Sequence, residues 1–163
     1  MKNRAWCAVL GVSACAASVS LTRPAVSTTV TTVLHGSSCQ DYEPTQARVN
    51  SLTGIQNAGS TSNSYACPLV RQSPTTLTGL SSVTVNVYDN DPNSTITVAV
   101  RSINQFATAQ YSMTGTTGPI AFTGAFSIQI NGPSQSYTYG SYALGVTLPG
   151  IFDNVYNIIY TEN

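Results

Sequence analysis

The second half of the chain alternates apolar and polar positions with a period of two. Val83, Val85 and Val87 face one way, and Thr84, Asn86 and Tyr88 the other. Ile96, Val98 and Val100 alternate in the same manner with Thr95, Thr97 and Arg101. Successive side chains of an extended backbone point to opposite faces, so this pattern predicts half-buried strands. Asn90-Asp91-Pro92-Asn93 between the two runs is turn chemistry, and the pair is expected to form a hairpin. Ala107–Met113, Phe126–Ile130, Tyr142–Leu148 and Val155–Thr161 repeat the pattern. They are parted by Gly115–Pro119, Asn131-Gly132-Pro133 and Pro149-Gly150.

The first half is less regular. Tyr65, Cys67 and Leu69 alternate, but Pro68 has no backbone donor and moves that strand toward a sheet edge. Gly54-Ile55-Gln56-Asn57 reads as a short strand before the polar tip Gly59–Ser64, and Asp41–Asn50 as a patch with one helical turn. Residues 21–34 form an extended Ser/Thr/Val segment, either a tether or a first edge strand. Seven or eight short strands parted by turn signals predict an all-β fold: an antiparallel β-sandwich, Ig-like or jelly-roll-like.

The N-terminus belongs to a different category. Lys2 and Arg4 precede the uncharged run Ala5–Leu21, which is apolar through Val12 and then turns to small residues. A basic start, an apolar stretch and a small-residue zone are the parts of a secretory signal-peptide helix, placed at residues 1–20. The apolar run fades too early for the roughly 20 residues that a membrane span needs. Ala14-Cys15-Ala16 and Ser18-Val19-Ser20 are both candidate cleavage regions. Val12-Ser13-Ala14-Cys15 also resembles a lipobox, which makes Cys15 a candidate lipidation site and a lipid-anchored surface protein one alternative. The expected organisation is a leader at 1–20, an extended segment at 21–34 and a sandwich domain at 35–163.

Losing the leader changes the charge balance. Lys2 and Arg4 leave with it, so six basic residues become four against six acidic, a net charge of about −2 with no Lys. That excludes a basic footprint for nucleic acid and a polybasic hold on anionic lipid. Only 7% of residues are charged, yet Val, Ile and Tyr are plentiful, which separates the chain from disordered sequences. Cys39 and Cys67 remain as a pair. In an oxidising compartment a disulfide is the default, with two buried thiols as the alternative. The bond would close a loop of about 29 residues, worth roughly 3–4 kcal/mol by chain entropy.

Candidate chemistry is sparse. His35 is the only imidazole and no G-x-S-x-G elbow accompanies it, so no catalytic residue is assigned. Asp89 and Asp91, two apart, make a poor acid/base pair. With Asn90 and Asn93 they could ligate Ca²⁺, but an Asx turn is the simpler reading, and no metal or cofactor is expected. Tyr137, Tyr139 and Tyr142 cluster, and Tyr156 and Tyr160 share a strand face by parity. Exposed aromatic rows can stack on sugar rings, so the first three are candidate glycan-stacking residues; core tyrosine is the alternative.

Several short motifs carry a resemblance. His35-Gly36-x-x-Cys39, Gly54-Ile55-x-Asn57 and Tyr65-x-Cys67-Pro68-Leu69-Val70-Arg71, followed by Tyr88-Asp89 and the stretch Tyr142–Pro149, resemble a group of small exported bacterial proteins of unknown function. The resemblance spans about residues 35–163. It implies a secreted β-domain with paired cysteines and carries no activity or functional residue with it. The expected role is an exported non-catalytic structural or interaction protein, secreted, periplasmic or at the cell surface or matrix. Its expected partners are itself, through residues 21–34, or another surface protein. A carbohydrate-binding module, with polysaccharide as partner, is the alternative.

Overall fold

The computed structural model describes residues 29–42, 48–72, 79–108, 110–117, 123–133 and 136–163. The expected leader at 1–20, with Cys15, and residues 21–28 lie outside the described residues. The described chain holds eleven strands: β1 (Val30–His35), β2 (Gln40–Asp41), β3 (Arg48–Ser51), β4 (Gly54–Asn57), β5 (Asn63–Leu69), β6 (Leu80–Asp89), β7 (Thr97–Ile103), β8 (Gln110–Thr116), β9 (Gly124–Asn131), β10 (Ser141–Leu148) and β11 (Asn154–Glu162). All the pairings are antiparallel.

The protein is an all-β sandwich. One sheet has the order β3-β4-β11-β6-β9, with β1 also paired to β11; the other has the order β2-β5-β10-β7-β8. Strands β4 to β11 therefore form two four-stranded layers, β4-β11-β6-β9 and β5-β10-β7-β8, and almost every connection crosses between them. This is the topology of an eight-stranded jelly roll, which settles the choice left open by the strand pattern. The short strands β1, β2 and β3 are additions on one side.

Alternation located the strands but misassigned one pairing. β6 and β7 do not form a hairpin: β6 lies between β11 and β9, while β7 lies between β10 and β8. Period two reports which face is buried, not whether the next strand lies beside or across. The intervening segment spans the ~10 Å between packed sheets. The expected helical turn also fails where it can be seen, because Arg48–Ser51 pairs with β4 as a strand. Pro68 does sit on an uncovered stretch of β5, since β2 reaches only Tyr65 and Ala66. Tyr156 and Tyr160 do not share a face. The register of β11 against β6 shifts between Val155 and Asn157, leaving Tyr156 half-exposed while Tyr160 is buried.

Between the layers lie Val83, Val85 and Val87 of β6, Val98 and Val100 of β7, Leu144 and Val146 of β10, and Ile158 of β11, all essentially inaccessible. Burying one such side chain is worth about 1.5–3 kcal/mol. The chain passes from β1 in the first layer to β2 in the second through a single 3-10 turn, Gly36–Ser38. A Cβ on Gly36 would lie 1.9 Å from the Val155 carbonyl oxygen, and so would one on Gly54, whose φ is +144°. Both glycines thus let backbone press against β11 at its bulge. The Cys39–Cys67 disulfide fastens the end of this crossing to β5. Replacing Cys39 with Ala should lower stability by about 2–5 kcal/mol in denaturant titration, and peptide mapping without reductant should recover the two cysteines as one linked pair.

Candidate functional site

The residues that carry the sequence motifs turn out to be structural. His35 Nε2 donates to the Leu52 carbonyl at 2.9 Å, and its Nδ1 accepts from the Ser37 amide at 3.2 Å. The imidazole thus ties β1 to the β3–β4 turn. Asn57 is fully buried, with its amide nitrogen within 3.1 Å of the Thr61, Leu148 and Gly150 carbonyls and its Oδ1 accepting from Gly59. Tyr65 accepts from Asn63 and donates to the Gln56 carbonyl. Burial pushes its phenol up to about 12.

Arg71, which the motif names without a role, is the most demanding of these groups. Its side chain is only 5% exposed, and its Nε lies 3.6 Å from Oε1 of Glu162, itself 2% exposed. The guanidinium donates to the Tyr137 and Gly140 carbonyls and to Ser136 Oγ, and it covers the Tyr142 ring at 5.4 Å. Glu162 accepts from the Gln72 amide at 2.7 Å and from the Tyr142 hydroxyl at 3.2 Å. Burial, more than the neighbouring Glu162 charge, raises the Tyr142 phenol above its ordinary value.

Three carboxylates gather at the opposite end of the sandwich. Asp89 accepts from the Asp91 amide and Thr117 Oγ1. Asp91 accepts from the Asn93 amide and Ser94 Oγ. Asp153 accepts from the Asn90 and Gly150 amides. Each of the six oxygens has a protein donor, which is the turn reading of this segment. Among the described residues no group of three or more His, Cys, Asp or Glu is placed to hold a metal.

The three candidate glycan-stacking tyrosines are not presented as one row. Tyr142 is buried beneath Arg71 and offers no free face. Tyr137 stacks on Tyr111, with ring centroids 5.3 Å apart and planes at 19°. Tyr139 is 65% exposed, in a turn where its own φ is +56°. Their spacing in sequence hid that residue 142 is the first inward position of β10.

A different surface has the shape of a site. The outer face of the five-stranded sheet carries a shallow open groove of about 360 Å³. Strand register sets its floor: Ala66 of β5, Gly145 of β10 and Ala99 of β7 lie side by side. One wall is the row Ser64, Thr147 and Thr97, in which the first two hydroxyls lie 3.1 Å apart. The other wall includes Ala143 and Arg101. Tyr42, 77% exposed, stands at the β2 end. Periodicity did not single out these positions, because outward Ala, Gly, Ser and Thr look like ordinary strand surface. The available signal was that neighbouring outward positions on three strands, Ser64 and Ala66, Thr97 and Ala99, and Ala143, Gly145 and Thr147, are small.

No family model matches the chain, and no curated protein matches it. One solved structure that it resembles comes from work described as "Structural basis for the promiscuous specificity of the carbohydrate-binding modules from the beta-sandwich super family". The two share 9% identity at a TM-score of 0.43, over 82% of this chain. The chain spans about half (54%) of the length of that structure's chain.

Two outcomes follow from the buried charges. Glu162→Gln, which leaves Arg71 buried without its counter-charge, should cost about 3–5 kcal/mol. Adding Arg71→Met should cost less than the two single changes summed, measured as a double-mutant cycle in urea. Asp153 is held above the ordinary carboxylate range, chiefly by burial, with the negative charges of Asp89 and Asp91 adding to it. The folded state therefore keeps this proton longer than the unfolded chain. Asp153's contribution to stability should fall as pH rises from about 4 through its raised pKa. Asp153→Asn should remove that slope. It should also lower stability throughout, since an amide offers one acceptor atom where two amides donate.

Proposed function

We propose that this chain is an exported, non-catalytic interaction domain of the cell surface, periplasm or extracellular matrix, which holds an extended polymer on the outer face of its five-stranded sheet. One observation carries the reading: the open groove is floored by Ala66, Gly145 and Ala99, while His35, Arg71, Glu162, Asp89 and Asp153 are engaged in internal contacts. A groove lined by hydroxyls, small side chains and one exposed aromatic offers contact without a tuned acid, base and nucleophile. The basic–apolar–small leader pattern and the Cys39–Cys67 bond support export. The resemblance to small exported bacterial proteins points the same way, and Cys15 is where a lipid anchor would be attached.

Gly145 provides the test. A Cβ there would meet only the Ala99 carbonyl, at 3.9 Å, so a larger side chain can stand in the groove without disturbing the sheet. Gly145→Phe should leave the melting temperature nearly unchanged and abolish retention of the exported protein on insoluble polysaccharides, assayed on neutral and acidic polymers. Retention that survives Gly145→Phe, or no retention of the wild type on any polymer, contradicts the reading.

Self-assembly is a second reading, favoured by a separate observation. Val30–His35 is paired with β11 rather than free to be donated, but its outer edge pairs with no strand among the described residues, and Val33 on it is 63% exposed. An uncharged edge is open to pairing with another chain. If it mediates assembly, Val33→Lys should convert concentration-dependent oligomers to monomer in solution sizing.

A further inference from the structure

We infer that the groove on the five-stranded sheet takes an acidic glycan, a chain of uronic-acid sugars, with Arg101 receiving a carboxylate and Tyr42 a ring face. The inference rests on the proposed role of this face in binding and names its ligand class.

Arg101 is exposed and, among the described residues that line the groove, is the only charged one. The ion pairs among the described residues are Arg48–Asp41 and Arg71–Glu162, so among the described residues no carboxylate pairs with the Arg101 guanidinium. A planar guanidinium with five donors matches a carboxylate in bidentate fashion, which a neutral sugar cannot reproduce. The hydroxyls of Ser64, Thr97 and Thr147 line the opposite wall, where they can donate to or accept from sugar hydroxyls. Tyr42 directly follows β2 and Arg101 lies on β7, three interstrand steps away, about 14 Å measured across the strands at the usual spacing. That length suits an oligosaccharide of several rings lying across the strands. A second copy of this face fits less well, because its described lining residues would offer Arg101 no carboxylate.

Titration of the full exported protein with oligogalacturonate, and with a neutral oligosaccharide of matched length, tests the inference. The acidic ligand should bind more tightly and weaken as salt rises. Arg101→Gln should weaken it by about tenfold or more, as loss of a charge-assisted bidentate contact implies. Tyr42→Ala should weaken both ligands, and Arg101→Gln should leave the neutral one unchanged. Equal binding of both ligands, indifferent to Arg101→Gln but abolished by Gly145→Phe, overturns the acidic assignment and keeps the binding face. Loss of neither ligand on Gly145→Phe, or no binding at all, overturns both. A dimer that Gly145→Phe dissolves overturns the inference in favour of a second copy in the groove.

Discussion

Arg71 and Glu162 meet where the two layers end, and the contacts around them hold that end closed. Bringing either charge out of water costs several kcal/mol, and attraction between them offsets this only when the remaining donors and acceptors are satisfied. Here they are supplied from four directions. The segment after β5 brings Arg71 and the Gln72 amide, β11 brings Glu162, β10 brings Tyr142, and the preceding turn brings Ser136 and two carbonyls. Tyr160 extends the network, its hydroxyl both accepting from the Val70 amide and donating to the Val70 carbonyl at 3.0 Å. Few other registers of β5 and β11 would bring the members of this enclosed pair together.

The far end is held by the hydrogen-bonded carboxylates of Asp89, Asp91 and Asp153, by the Asn57 amide and by close backbone packing. Asn57 spans the β4–β5 tip and the β10–β11 connection, while Gly36 and Gly54 close onto the Val155 carbonyl. With both ends tied, the outer face of the five-stranded sheet is built from strands rather than from loops. A site on strands is more precisely positioned than one on loops. Its floor of Ala and Gly costs the core nothing, since those positions point away from it.

Much of the architecture was legible in the alternation of Val83–Val87, Ile96–Val100 and Tyr142–Leu148, because period two and burial on one face are the same physical fact. The β6–β7 pairing was not, since alternation is silent about which layer a neighbouring strand joins. The disulfide followed from the parity of Cys39 and Cys67. The Arg71–Glu162 pair could not be read, as nothing local links residues 71 and 162. The groove escaped notice for the opposite reason: aromatic clustering drew attention to Tyr137, Tyr139 and Tyr142, whereas the candidate surface is marked by the smallness of Ala66, Ala99 and Gly145.

If Arg71–Glu162 organises this end of the fold, the backbone beside it belongs to the cooperative core rather than to a frayed connection. Native-state amide hydrogen exchange at Val70 and Gln72 tests this most directly, because their N–H groups are donated to Tyr160 and Glu162. Both amides should exchange only through global unfolding, with protection matching that of Leu144 in the centre of β10. Exchange at the rate of an exposed loop, with Leu144 still protected, would contradict it.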